Sequence, residues 1–323
     1  MDLANKVKVY LFFAAIIAGC FFAGSVKEVS DSNLSAGNGR KSSKSIFEDA
    51  YFSLFDFEGK NFDLNSKKII QEHDSKKVLL SNPSGIVIQG RNQIQYEGDA
   101  GQIELNKKLV SVRDNVKVSH HKGVTYCREI QVDQAKKKID LLDKVQTTQY
   151  LKDGRTLFIN SEKAQLFTHQ KMGRYFEGVE GKISGGDSKI NDIYFEAEEI
   201  SFDGARRVLD LVENVGLKHG KLEFSSLRGK VFLKNFNRGV KYYSLSDDVR
   251  MNDEILIEEK VVSRKAFGEN VKGFVDRKEV EFTGFPKVIQ GDEVIRGNKI
   301  LLMENSDIVE IINTNGRFNI KEN

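Results

Sequence analysis

The sequence predicts an all-β protein of antiparallel hairpins behind a single apolar segment at its N-terminus. Three observations predict it. From about Ser45 onward, short runs alternate apolar and polar residues, rich in Val, Ile, Phe and Tyr, and Gly, Asn or Asp interrupts them every several residues. Period-two alternation between turn residues is the mark of strands, and of a sandwich, barrel or solenoid at the level of fold. No amphipathic helix of three turns follows the N-terminal segment, and one strand motif recurs along most of the chain.

The first element is "VYLFFAAIIAGCFFAGSV", Val9 to Val26, with 18 residues and no charge. That is the short end of what spans a hydrocarbon core of about 30 Å. Lys6 and Lys8 precede it, so the N-terminus stays in the cytoplasm and the rest is exported. Two readings stand side by side. "IAGC", Ile17 to Cys20, resembles a bacterial lipobox, and cleavage there would leave Cys20 lipidated. Phe21, Phe22 and Ala23 nevertheless carry the apolar run past that site, and a signal peptide's apolar core spans only about 7–15 residues. Residues 1–26 are therefore expected to be an uncleaved single-pass helix, with Cys20 the candidate lipidation site. Residues 27–44, rich in Ser, Gly and Asn, bury too little apolar surface to fold alone and make a flexible spacer.

Composition excludes several classes. The two cysteines are Cys20 and Cys127, so neither a disulfide framework nor a thiolate zinc site can be built. Fifty basic against 47 acidic residues leave a net charge of +3, without the basic clustering of a nucleic-acid footprint.

The recurring motif sits in "LVSVRDNVKV" (109–118), "KIDLLDKVQT" (138–147), "GRYFEGVEGK" (173–182), "VLDLVENVGL" (208–217) and "YYSLSDDVRM" (242–251). In each a strand meets an acid, one turn-tolerant or polar residue, then Val. The acids are Asp114, Asp143, Glu177, Glu213 and Asp247; the valines are Val116, Val145, Val179, Val215 and Val249, with Val288 a degenerate sixth. Gaps of 29, 34, 36, 34 and 39 residues suit stacked hairpins with variable loops better than a solenoid of fixed rung length. Positions −6, −4, 0 and +2 from each Val form one apolar face. The candidate lining residues are Val110, Val112, Val116 and Val118; Ile139, Leu141 and Val145; Leu209, Leu211, Val215 and Leu217; and Tyr243, Leu245 and Val249. The acid interrupts that face at a bulge or tight turn and points to solvent or caps an amide.

Catalytic signatures are missing: there is no P-loop, dinucleotide fingerprint, HExxH or GxSxG. The five histidines, His73, His120, His121, His169 and His219, fall near turns without a third ligand at metal spacing. Cys127 in "VTYCREI" alternates as a small core residue. No catalytic residue, metal or cofactor is expected, and the protein is not expected to be an enzyme.

The stretch "GQIELNKKLVSVRDNVKVSHHKGVTYCREIQVDQAKKKIDLLDKVQTTQ" (101–149) resembles the repeated hairpin of the lipopolysaccharide-transport periplasmic β-jelly-roll family, and "VLDLVENVGLKHGKLEFSSLRG" (208–229) repeats it. The anchor, the spacer and "YFSLFDFEGKNFDLNSKKI" (51–69) resemble the anchored, LptC-like type; residues 282–318 resemble the closing segment of the bridge, LptA/OstA-like type. The resemblance implies an elongated open β-jelly roll of two packed antiparallel sheets, with an anchored-type part over 45–180 and a bridge-type part over 181–323. It implies lipopolysaccharide as ligand, held by its acyl chains between the sheets. It also implies receipt from the permease subunits of an inner-membrane ABC transporter, and transfer to a further jelly-roll protein through edge strands. The body would lie in the periplasm of a Gram-negative bacterium, tethered to the inner membrane. The alternative is a membrane-tethered β-repeat scaffold or lipoprotein with a closed core and no lipid.

Overall fold

The structure, a computed structural model, describes residues 44–55, 61–72, 75–89, 92–120, 123–133, 136, 138–151, 154–167, 172–185, 192–203, 205–234, 240–257, 259–304 and 306–312. The apolar stretch Val9–Val26, Cys20 and most of the spacer lie outside the described residues, as do His73, His121 and His169. Every regular element among the described residues is a strand, and every pairing between them is antiparallel, so the protein is all-β, of the jelly-roll kind. No helix among the described residues is long and apolar enough to cross a membrane.

The chain divides into two compact units, Met1–His121 with Cys127–Lys137, and Lys122–Tyr126 with Lys138–Asn323. The first holds β1 (Lys44–Phe55), β2 (Asn61–Glu72), β3 (Lys77–Ser81), β4 (Ser84–Gln89), β5 (Asn92–Glu97), β6 (Ala100–Glu104) and β7 (Leu109–His120). β8 (Gly123–Asp133) gives its first residues to the second unit and the rest to the first. In the first unit β2 pairs along its whole length with β1, and its two halves take different partners on the other side: residues 62–65 pair with β4 and 68–71 with β3. β7 behaves alike, pairing with β6 through residues 109–113 and with β5 through 117–120. Leu64, Ile69, Leu80, Tyr96, Val112 and Val116 form its core.

The second unit is a meander: β9 (Lys138–Tyr150), β10 (Thr156–Phe167), β11 (Met172–Ser184), β12 (Ile193–Asp203), β13 (Val208–His219), β14 (Leu222–Leu233), β15 (Val240–Ile257) and β16 (Lys260–Phe274). Each pairs with the next. The meander closes with short strands: β17 (Glu279–Thr283), β18 (Lys287–Gln290), β19 (Glu293–Arg296), β20 (Lys299–Met303) and β21 (Val309–Ile312). β17 pairs with the end of β16, and β18 with an earlier part of it.

The acid motif explains this architecture. Each acid and its follower are left-handed: Asp114 and Asn115 at φ 58° and 52°, Asp143 and Lys144 at 60° and 54°, Glu177 and Gly178 at 64° and 65°. The series continues with Glu213 and Asn214 at 61° and 50°, and Asp247 and Asp248 at 67° and 54°. Two successive left-handed residues bend a strand sharply, and the register slips at that level, as where Asn160↔Glu180 gives way to Lys163↔Phe176. The degenerate sixth repeat has the same geometry at Gly284 (φ 75°) and Phe285 (φ 54°), where the strand breaks into β17 and β18.

Because of the kinks, each long strand of the second unit runs from one layer into a second that faces it. Tyr243 lies before the kink of β15, whereas Phe224 and His219 lie in the layer beyond the kinks. The Tyr243 ring meets theirs edge-on, at 5.5 Å and 6.1 Å. Gly273, opposite Tyr243 in the register, leaves room for that ring: a Cβ there would fall 1.9 Å from it.

Candidate functional site

The only concave feature that the sequence anticipates is the interior between these layers. The structure places all fourteen candidate residues on inward positions. Val110, Val112, Val116 and Val118 are 4, 1, 0 and 5% exposed, in the first unit. Ile139, Leu141 and Val145 on β9 are 7, 1 and 0% exposed; Leu209, Leu211, Val215 and Leu217 on β13 are 0, 1, 2 and 3%; Tyr243, Leu245 and Val249 on β15 are each 1%. The first four belong to one unit and the other ten to the second. All pack into core, so any guest must part side chains that now touch each other.

Other inward residues lie outside the five aligned repeats. Ile159 on β10, Phe195 and Ile200 on β12, Phe224 and Val231 on β14, and Val271 on β16 are at most 4% exposed. β10, β12 and β14 carry no acid-X-Val signature, and β16 has one, Glu269-Asn270-Val271, whose acid and follower are not left-handed. Plain alternation, as in "DIYFEAEEISF", was their signal, and the shift in phase between Ala197 and Ile200 weakens it.

Polar groups tie the layers at few points. The Tyr175 hydroxyl, before the β11 kink, hydrogen-bonds Thr147 beyond the β9 kink, and Thr147 Oγ1 lies 3.1 Å from Thr125 Oγ1. Burial pushes the Tyr175 phenol above its usual range, and the Thr147 bond partly offsets this. Tyr243 is pushed up by burial and then by the Glu304 carboxylate. His219 is 4% exposed; burial, then the charges of Arg155 and Lys278, hold its imidazole below the ordinary value. Its Nε2 has no hydrogen-bond partner among the described residues. His219 is thus a neutral core residue on the last position of β13, in contact with Tyr243.

Sequence reasoning missed Arg264. Its side chain is fully buried and pairs with Asp253 across 2.5 Å. It also donates to the Ser306 carbonyl at 2.8 Å and the Met303 carbonyl at 3.4 Å. The guanidinium thus clamps the end of β20 and the residues after it onto β16. An arginine flanked by Ser263 and Lys265 reads as an exposed strand position, and only the tertiary fold buries it.

The motif acids are exposed, as expected, and several pair with cations on the neighbouring strand: Asp114 with Arg128 at 3.6 Å, Glu177 with Lys163 at 2.7 Å, Asp247 with Arg228 at 3.5 Å. Exposed pairs of this kind are screened by solvent and contribute little to stability; the acids serve the kink and its surface. Cys127 is buried, with its Sγ toward the Glu129 carbonyl at 3.3 Å. Among the described residues no three His, Cys, Asp or Glu side chains stand together as a metal site.

These features define an all-β, antiparallel protein with an apolar interior. No described protein family and no curated protein matches the sequence. Among solved structures, one similar chain is LptH, the LptA-homologous periplasmic component of the lipopolysaccharide transport device of Pseudomonas aeruginosa. The two are 17% identical, with a TM-score of 0.35 over 39% of this chain and 85% of that one.

Proposed function

We propose that the protein is a periplasmic carrier that binds lipopolysaccharide by its acyl chains and transfers it. In this reading it is tethered through Val9–Val26, receives lipid from an inner-membrane ABC transporter and passes it along a jelly-roll bridge. The anchored-type part 45–180 and the bridge-type part 181–323 belong to the same proposal, which starts from the sequence resemblance. The observation that carries it is the apolar interior of the second unit, whose facing layers are joined chiefly by side-chain packing.

Ladder hydrogen bonds run within the layers, so parting them about the kinks breaks apolar contacts and a few polar ties but no ladder. An acyl chain restores the lost burial at roughly 0.8 kcal/mol per CH₂. Strand edges suit the handover: among the described residues of its own unit β1 pairs only with β2, and β21 only with β20. Exposed edges accept further strands.

The second reading, a closed-core scaffold, is favoured by the burial of all fourteen lining positions. Photo-crosslinking separates the two. A photoreactive residue at Leu211 or Val112 of the full chain in detergent should capture lipopolysaccharide, and one at exposed Arg228 should not. Capture at neither interior position, with lipid in excess, leaves the scaffold reading.

A further inference from the structure

Four of the five aligned repeats place Val or Leu four residues before the motif valine: Val112, Leu141, Leu211 and Leu245. The third places Tyr175 there. Two residues after the valine the others carry Val118, Gly181, Leu217 and Met251, and the second carries Thr147. The structure brings these two departures together. Tyr175 stands in the layer before the kinks and Thr147 in the layer beyond them, with their hydroxyls hydrogen-bonded across the interior. Thr147 Oγ1 in turn lies 3.1 Å from Oγ1 of Thr125, on the stretch of β8 that belongs to the second unit. Tyr175, Thr147 and Thr125 are 7, 7 and 6% exposed, so the three hydroxyls share one buried place among apolar side chains.

That place is defined along the interior. The register runs from Leu141 to Ala164, Tyr175, Ile200 and Leu211, one residue per strand from β9 to β13. Leu141 and Leu211 are therefore matched positions: the same layer and face, two strands to either side of Tyr175, and each 1% exposed. On the Leu211 side both layers present hydrocarbon, Ile200 and Leu211 in one, Phe195 and Leu217 in the other.

Parting the layers at Leu211 breaks packing alone, and a hydrocarbon tail entering there exchanges one apolar contact for another. Parting them at Tyr175 also breaks the hydroxyl bond. Thr147 then keeps Thr125, whereas a tail beside Tyr175 leaves its hydroxyl buried without a partner, the costly case for a polar group. We propose that the Tyr175–Thr147 bond is a bolt: it holds the layers together at the β9 end of the second unit, so that the interior opens from the β12 and β13 side and a tail seated there stops at Tyr175. The tail belongs to the acyl-carrier reading, on which that part rests; the bolt is a property of the protein alone.

The test uses the full chain in detergent with Cys20→Ser and Cys127→Ala, carrying either Leu141→Cys or Leu211→Cys. Iodoacetamide reaches a buried thiol at the rate at which the structure opens around it. Without lipid, the Leu211→Cys thiol should react about tenfold faster than the Leu141→Cys thiol, the worth of one buried hydrogen bond. Tyr175→Phe should remove that difference by raising the Leu141→Cys rate and leaving the Leu211→Cys rate unchanged. Equal rates before Tyr175→Phe overturn the proposal. So does equal acceleration at both sites, which would make Tyr175 an ordinary stabilising residue. With lipopolysaccharide, a photoreactive residue at Leu211 should capture lipid in both backgrounds, and one at Leu141 only with Tyr175→Phe. Capture at Leu141 while Tyr175 is intact overturns the bolt. Capture at neither position sinks the carrier reading, and the thiol rates then decide the bolt without it.

Discussion

At the residue scale, the unusual feature is the pair of left-handed residues in each long odd-numbered strand from β7 to β15. Non-glycine residues adopt that conformation at about 1–2 kcal/mol each, yet Lys144, Glu177, Glu213 and Asp248 all do. Asn214, at φ 50°, is the type best suited to it. Its side chain also donates to Glu198 Oε1 at 3.2 Å, a bond that both Val and Gly remove, so comparing those two variants isolates the backbone effect. Asn214→Val should unfold at lower denaturant than Asn214→Gly, by about 2 kcal/mol. Equal midpoints would mean that the kink does not need left-handed residues. The acid-X-Val motif was legible in sequence because this conformation selects short polar or acidic residues. That both residues of each pair are left-handed was not, because lysine or glutamate at such a site leaves no compositional trace.

His219 supplies a residue-scale test in pH. Its folded-state pKa is depressed, chiefly by burial, so the unfolded chain binds the proton more readily. No penalty exists well above the ordinary histidine value of about 6.5. As pH falls through that value the unfolded state gains a proton and stability drops. Glu304 has the opposite sign: burial raises its folded pKa, and the resulting penalty at neutral pH is relieved as pH falls through that raised value toward the ordinary carboxyl range. Between pH 7 and 5.5, His219→Phe should therefore flatten the decline of Tm seen in the parent protein. An undiminished decline would assign it to other groups.

At the element scale, the buried ion pair joins three pieces of chain, because Arg264 on β16 holds Asp253 on β15 and carbonyls at and beyond the end of β20. Removing one partner of a buried pair leaves an uncompensated charge and typically costs about 3–5 kcal/mol. Arg264→Ala should lose that much in chemical denaturation. The double change Arg264→Met with Asp253→Leu should recover most of it, since an apolar pair is often as stable. A double variant as unstable as the single one would show that the carbonyl contacts, and not the desolvated charge, dominate. This clamp was illegible in sequence, because its members are 11 and about 40 residues apart and none stands in a motif.

At the scale of the whole molecule, an acyl carrier requires the layers of the second unit to part. Gly229 faces Val215 from the opposite layer, and a Cβ built on it would lie 3.1 Å from Val215 Cγ1. Cysteines at both positions therefore stand where a disulfide can staple the layers. The oxidised protein should lose lipopolysaccharide capture, and reduction should restore it in the same sample. Capture that persists through oxidation would show that lipid binds without opening the interior.

The all-β class, the repeat and the inward phase of its odd strands were determined by sequence alone, because alternation and left-handed turn residues are local properties. Cross-layer packing and the burial of Arg264 were decided only by the tertiary structure. They depend on which strands become neighbours, and in what register, over separations that no local pattern encodes.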